Sequence, residues 1–391
     1  MKITRWRPPA RQISNLVDAG SFERASEGSN AWTFEKEIPL LAAVADVIIS
    51  RIGCAQFDQA ELYKTMNALT FDPATDEFFI RELPVPSPGP RDVLVKVMAC
   101  GLNPVDAKIT GWKELVLDMD DNWTPGLDVS GEIVALGADV SEWKIGDRIL
   151  YHGNMLRPHG GLADYAIHKA DTLIPHPRVS AAIAAATPCA GWTAGRALHD
   201  KLRLTNAHSF LVTGGSGGVG GFAIQIARDL GVKQIITTCS AKNHDYVFAL
   251  GATDAIDYHT EDVAARVRAI TGGKGVNRAL DAVGPDEDLA VAESLAFEGE
   301  MVELVDVVRP QEYHDVFSRA LSFHQLALGA GHRAGAEAEK RIVQAGLSCC
   351  RMLDEGTLTV PQLETIPLAE AGSRLVAMRN RRSVGKTVVV L

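Results

Sequence analysis

The stretch 211–231, LVTGGSGGVGGFAIQIARDLG, constrains the fold more than any other part of the chain. A β-prone run at 210–213 feeds a glycine turn, and a helix follows with Val219, Phe222, Ala223, Ile226 and Leu230 on one face. Gly215, Gly217 and Gly220 have the spacing G-x-G-x-x-G. In such a turn the first glycine makes the tight bend and the second lets backbone approach a pyrophosphate. The third lets helix and strand pack closely. The helix N-terminus then offers free N–H groups and the positive end of a dipole to the phosphates. Glycine turns also join strands to helices for packing alone. Here strand, turn and helix agree, so the stretch reads as a nucleotide-binding βαβ unit.

The rest of the second half alternates strand and helix. Strands are expected at 210–213, 234–239, 255–258, 278–283, 301–305 and 326–329, the signature of a doubly wound parallel sheet. The region before it reads differently. Segments 67–71 and 77–82 look like a hairpin, and 93–98, 130–136, 147–151 and 161–168 continue as short strands of a compact β-rich domain. Helical stretches at 181–186 and 191–198 lead into the glycine-turn domain, while 355–391 returns to β character. It ends in a strand near Lys386 that needs a sheet to join, and the first β domain is the expected host. Residues 1–65 form an N-terminal extension, helical over 34–62, in which no chemistry is visible.

Composition excludes several classes. A chain of 391 residues can bury a large core in two or three domains. A net charge of −10 argues against nucleic acid, whose phosphates want a basic surface. The 6 cysteines are scattered without a C-x-x-C pair, as in reduced proteins. No apolar run approaches the length of about 18 residues that a membrane span needs. Lys2, Arg5, Arg7 and Arg11 precede any acidic residue, as in some organelle presequences. Pro8 and Pro9 interrupt an amphipathic helix there, so a flexible tail on a cytoplasmic protein is expected.

Several short motifs occur in one order: ACGLNPVD at 99–106, PGLDVSG at 125–131, TPCAGWTA at 187–194 and VTGGSGGVG at 212–220. LGATDAIDY at 250–258, LDAVG at 280–284, LGA at 328–330 and VGK at 384–386 follow. In this order the chain resembles the medium-chain dehydrogenase/reductase superfamily, in particular its zinc-independent quinone oxidoreductase (zeta-crystallin-like) branch. The resemblance covers about 66–391. It implies a GroES-like catalytic domain at 66–190 and 332–391, and a Rossmann domain at 191–331 with the active site between them. It also implies a homodimer or homotetramer.

By alignment of these motifs, the positions that hold catalytic zinc in zinc-dependent relatives are Asn103, Leu127 and Cys189. Leucine cannot ligate and one thiolate cannot hold zinc where three protein ligands are expected, so no metal is expected. The second strand of the nucleotide unit ends without the carboxylate that would accept from an adenosine 2′-OH. Ser240, Lys242 and Asn243 stand there instead, and the resemblance adds Tyr258, so NADPH is the expected cofactor. The phosphate turn would comprise Gly215, Ser216, Gly217, Gly218, Val219 and Gly220. The resemblance places Thr193 at the carboxamide, its other reading being helix packing. The strand ends at Val283, Leu328 and Gly329 would position the nicotinamide through their backbone groups.

Without a Lewis acid, hydride can pass to an acceptor that is already electrophilic, a quinone or an α,β-unsaturated carbonyl. The alternatives are another activated carbonyl, or cofactor binding without significant turnover. Asn103 is the candidate amide near the nicotinamide ribose or the acceptor oxygen; its other reading is a cap before Pro104. No compelling general acid stands out. Tyr151, His152 and His159, at the end of the strand at 147–151 and in the loop after it, could line the pocket mouth. Each has a surface or core reading, and water can protonate the product; Tyr151 is the candidate kept for catalysis. Trp112 and Trp123 flank the segment expected to cover a flat acceptor.

Overall fold

The structure is a computed structural model that describes residues 65–116, 118–360, 362–379 and 384–391, all within a unit spanning 58–391. The expected extension and its helix at 34–62 lie outside the described residues.

Strands β1 (Thr65–Asp72) and β2 (Glu77–Pro84) pair antiparallel as the expected hairpin. Strand β3 (Asp92–Gly101) carries Val93, Val95 and Val97 buried on alternate positions, and it becomes the hub of the first sheet. Strands β4 (Asp128–Leu136), β5 (Arg148–His152), β6 (Tyr165–Lys169) and β7 (Ile174–Pro175) follow. The register of β3 on β4 shifts at Leu94/Val95 and again between Val97 and Ala99, which curls the sheet around Val129, Ile133, Ile149 and Leu162.

The second sheet holds β8 (Ser209–Val212), β9 (Gln234–Thr238), β10 (Asp254–Ile256), β11 (Val276–Asp281), β12 (Leu295–Glu303) and β13 (Ser322–Gln325). Its order is β10-β9-β8-β11-β12-β13 with every pair parallel. The order reverses direction between β8 and β11, where open α/β sheets bind ligands beyond their strand carboxyl ends. Strands β14 (Leu363–Pro367) and β15 (Lys386–Val390) then return to the first sheet, whose order is β14-β15-β3-β4-β5-β7 with β6 also on β3. The C-terminal strand thus joins the expected host, a GroES-like sheet beside a Rossmann-type one.

Three expectations are corrected. The strand expected at 326–329 is a 3-10 turn, Leu328–Arg333, and the sixth strand lies just before it at Ser322–Gln325. An edge strand buries little, so its polar sequence gives a weak strand signal. Within 355–391, a helix occupies Leu368–Arg379, with Ala371, Leu375 and Met378 buried at helical spacing. The helix expected at 191–198 starts earlier and runs through π-helical turns at Pro188–Trp192 and Ala197–Lys201. Among the described residues no helix is long and apolar enough to cross a membrane.

The glycine turn is as tight as its sequence requires. A Cβ on Gly215 would sit 2.1 Å from Thr237 Oγ1, and one on Gly220 would sit 2.3 Å from the Gly214 carbonyl oxygen. Neither obstacle can move without opening the strand–helix junction. We therefore expect Gly220→Ala to destabilise the protein by about 1–3 kcal/mol through overpacking. Urea denaturation measures this, and a loss below about 0.5 kcal/mol would contradict the close packing.

Candidate active site

Helix Gly218–Asp229 begins at Gly217 with no side chain capping it. The Gly217 N–H donates to the Gly214 carbonyl at 2.9 Å, and the first N–H groups of a helix that starts this way have no partner within the helix itself. The C-terminal strand meets this turn directly. Gly385 N–H donates to the Ser216 carbonyl at 3.0 Å, and Lys386 Cδ lies 3.0 Å from where a Gly218 Cβ would be.

From that contact Lys386 reaches into the first sheet, and the residue is only 4% exposed. Its Nζ donates to the Leu102 carbonyl at 3.1 Å and to Asn103 Oδ1, and lies 3.7 Å from Asp128 Oδ2. Asn103 Nδ2 donates to Asp128 Oδ2 at 2.9 Å, and Cys189 N–H donates to Asp128 Oδ1 at 2.8 Å. Asp106 Oδ2 accepts from Asn103 N–H at 2.9 Å, whereas its Oδ1 is buried without a partner. Both amide ends of Asn103 are therefore engaged inside the protein.

Burial, with Asp128 close by, raises the Asp106 carboxyl to about 7. Burial also raises Asp128, to about 6, with Lys386 pulling it back down. At neutral pH Asp128 is the carboxylate facing the ammonium, and Asp106 is partly protonated. The cluster is close to electroneutral, as a buried group of charges must be.

A catalytic zinc in this cleft would need three protein ligands around an open position. Leu127 offers no donor atom, and Asn103 is committed to Lys386 and Asp128. Burial beside Asp128 pushes the Cys189 thiol well up, keeping it protonated where a ligand must be thiolate. These residues do not fit zinc. Among the described residues no group of three His, Cys, Asp or Glu side chains could hold an ion.

Tyr151 lies on β5 with its hydroxyl buried and unpartnered, and its ring stacks on His168 at 4.0 Å between centroids. It lines a cavity of about 20 Å³ together with Trp112, Leu127 and His159. Burial keeps its phenol protonated, well above the usual range. Trp123 instead bridges to Phe71 outside this cavity. His152, the next residue on the strand, hydrogen-bonds His332 of the Leu328–Arg333 turn at 3.4 Å. Burial lowers His152 to about 3, and His332 is lowered too, so both rings are neutral at pH 7.

At the far end of the glycine turn, Ser240 Oγ lies 3.5 Å from the Tyr258 hydroxyl and 3.2 Å from His259 Nε2. Lys242 and Asn243 form the turn Ala241–Asn243 just after, and Lys242 and Tyr258 are exposed. No carboxylate ends β9. Thr193 is buried in its helical stretch. Val283 follows β11, and Leu328 and Gly329 open the turn after β13, with Gly329 against the His152 ring. Sequence reasoning missed His259, although it follows Tyr258 directly. It also passed over Lys386, whose signal was one lysine opening an otherwise β-branched strand.

The family model described as "Alcohol dehydrogenase GroES-like domain" matches residues 89–178, and "Zinc-binding dehydrogenase" matches 218–328. The chain is 40% identical over 194 residues to "Quinone-oxidoreductase QR1, chloroplastic" of Triphysaria versicolor, covering 47% of this chain and 57% of that protein. It is 37% identical over 215 residues to the "Quinone-oxidoreductase homolog, chloroplastic" of Spinacia oleracea, covering 52% and 64%. The match thus spans somewhat over half the length of these relatives. Among solved structures, the quinone oxidoreductase from Coxiella burnetii superposes with a TM-score of 0.72 at 27% identity, covering 84% of this chain and all of that one. The expected cytoplasmic location is overturned: both curated relatives, and a chloroplast envelope homolog of Arabidopsis thaliana, carry chloroplast names.

The buried network makes a direct stability prediction. Lys386→Met should cost about 3–5 kcal/mol in urea denaturation, because it strands the Asp128 carboxylate. Adding Asp128→Asn should recover part of that loss, and a cost under about 1 kcal/mol for Lys386→Met would contradict the pairing.

Proposed function

We propose that this chain, which belongs to the medium-chain dehydrogenase/reductase superfamily and its quinone oxidoreductase-like branch, transfers hydride from NADPH to a quinone or an α,β-unsaturated carbonyl without zinc. The observation that carries the reading is the metal position itself, filled by Asn103 and Leu127 and backed by the Lys386 ammonium. An acceptor reduced there must already be electrophilic, since no Lewis acid polarises it.

The family binds a nicotinamide cofactor, and when bound it supplies the hydride. The uncapped helix start at Gly218 and the Ser216–Val219 backbone would hold its pyrophosphate. Ser240, Lys242, Asn243 and Tyr258, with His259, would hold a 2′-phosphate, because hydroxyls and a cation gather where an NAD site places a carboxylate. Thr193 and the backbone at Val283, Leu328 and Gly329 would orient the carboxamide. The Tyr151 phenol, kept protonated by burial, would pass its proton toward the acceptor oxygen through a water in the small cavity it lines, as negative charge develops. Asn103 would then act through its bonds to Lys386 and Asp128, fixing the wall of the site. We extend the proposal to a plastid location, which the names of the relatives support, and to a homodimer or homotetramer, which the position of β13 at the edge of its sheet among the described residues supports.

Loss of NADPH absorbance with a naphthoquinone and a set of enones tests the reading, and stoichiometric binding without consumption would reject it. Lys242→Ala should raise the KM for NADPH by about tenfold or more while leaving that for NADH nearly unchanged. Equal effects on the two cofactors would reject the 2′-phosphate pocket. Tyr151→Phe should lower kcat by about a hundredfold with little change in the KM for NADPH. A kcat within twofold of the parent would remove Tyr151 from the chemistry.

A further inference from the structure

The carboxyl ends of β11 and β12 carry a buried acid pair that the proposed chemistry does not use. Asp281 and Glu303 are register partners on these parallel strands, and neither is more than 1% exposed. Partners in register project to the same face of a sheet, so the two carboxyls lie side by side.

Their oxygens divide in the same way. Asp281 Oδ1 accepts from Thr213 Oγ1 at 2.6 Å, Val283 N–H at 3.0 Å and Gly284 N–H at 3.4 Å. Glu303 Oε1 accepts from Val305 N–H at 2.7 Å and Asp306 N–H at 2.9 Å. Each carboxyl thus pins the loop that follows its own strand. The second oxygens, Asp281 Oδ2 and Glu303 Oε2, are buried without a partner, and Asp281 is the neighbouring charge that acts on Glu303.

Two buried, bare carboxylate oxygens side by side are penalised by desolvation and by repulsion together. One proton between them removes both defects, because the acid O–H donates to the carboxylate. We propose that Asp281 and Glu303 share a single proton at neutral pH, and that this acid–carboxylate pair locks the loops 281–284 and 303–306 that receive the nicotinamide end of the cofactor. The locking role rests on the reading of these strand ends as the cofactor cradle; the shared proton does not.

The surroundings agree with this assignment. Among the described residues no cation is ion-paired with either carboxyl. Thr213 on β8 donates to Asp281, and Gln325 is the β13 register partner of Glu303. Tyr313, also raised by Glu303, is itself bonded to Asp288, which is paired with Arg309. Burial and the neighbouring Asp281 raise Glu303 to about 8. The folded state therefore binds more protons than the unfolded one between the ordinary value of 4.5 and about 8, so this pair's contribution to stability falls across that window as pH rises. Above about 8 the pair becomes a buried dianion and the two loops lose their tie.

Two measurements on the full chain test this. Infrared difference spectra between the parent and Glu303→Gln should show a protonated-carboxyl C=O band at pH 7 that the variant lacks and that disappears as pH rises through about 8. Absence of that band at pH 7 would overturn the shared proton. Titration with NADP⁺ should give a parent Kd that weakens on the order of tenfold between pH 7 and 9.5. Glu303→Gln, whose amide donates to Asp281 at every pH, should give a nearly flat Kd over the same range. The same pH dependence in both proteins would overturn the locking role. The band together with no NADP⁺ binding at any pH would overturn the locking role and the cofactor cradle, leaving the shared proton in place.

Discussion

The ammonium of Lys386, buried against Asp128, is the contact on which the site's geometry depends. It arrives on the C-terminal strand, crosses beside the glycine turn, and ends between the Leu102 carbonyl, Asn103 and Asp128. One side chain thereby ties β15 and β4 to the start of helix Gly218–Asp229, joining the GroES-like lobe to the nucleotide turn. A buried ion pair is weak evidence for stability, since its attraction barely repays desolvation. Its consequence is geometric: Asn103, Asp128 and Cys189 have one arrangement that leaves no charge unmatched.

The same economy of charge recurs around the site. Asp106 and Asp128 are raised until a single ammonium nearly balances them. His152 and His332 meet as neutral rings between the lobes. Asp281 and Glu303 stand at the strand ends with one oxygen each tied to a loop. By contrast, the corner at Ser240 presents the exposed Lys242 and Tyr258, and it is the corner proposed to meet a doubly charged phosphate. A low-dielectric interior with one polar rim suits hydride transfer, where fixed dipoles act more strongly than they would in water.

Much of this was legible in the sequence. The glycine spacing and the strand–helix alternation gave the parallel sheet, because a buried parallel strand must be apolar along its length, as 210–212 and 279–280 are. The strand at 322–325 was illegible since an edge strand needs little burial, and Leu326 and Leu328 drew the assignment forward into a turn. The helix Leu368–Arg379 was hidden by β-branched neighbours on either side. Residues of the site were found where a motif marked them. Lys386 and Glu303 escaped because their roles come from partners roughly 280 and 20 positions away, which no local pattern reports. The basic, acid-free start was visible, and giving more weight to Pro8 and Pro9 produced the location that the chloroplast relatives contradict.

The central claim is that a lysine ammonium, and no metal, backs the site where hydride is passed. Zinc content of the purified active protein, measured with turnover before and after dialysis against a strong chelator, tests it most directly. The account predicts far less than one zinc per chain and unchanged NADPH consumption. One zinc per chain, removed together with activity, would contradict it.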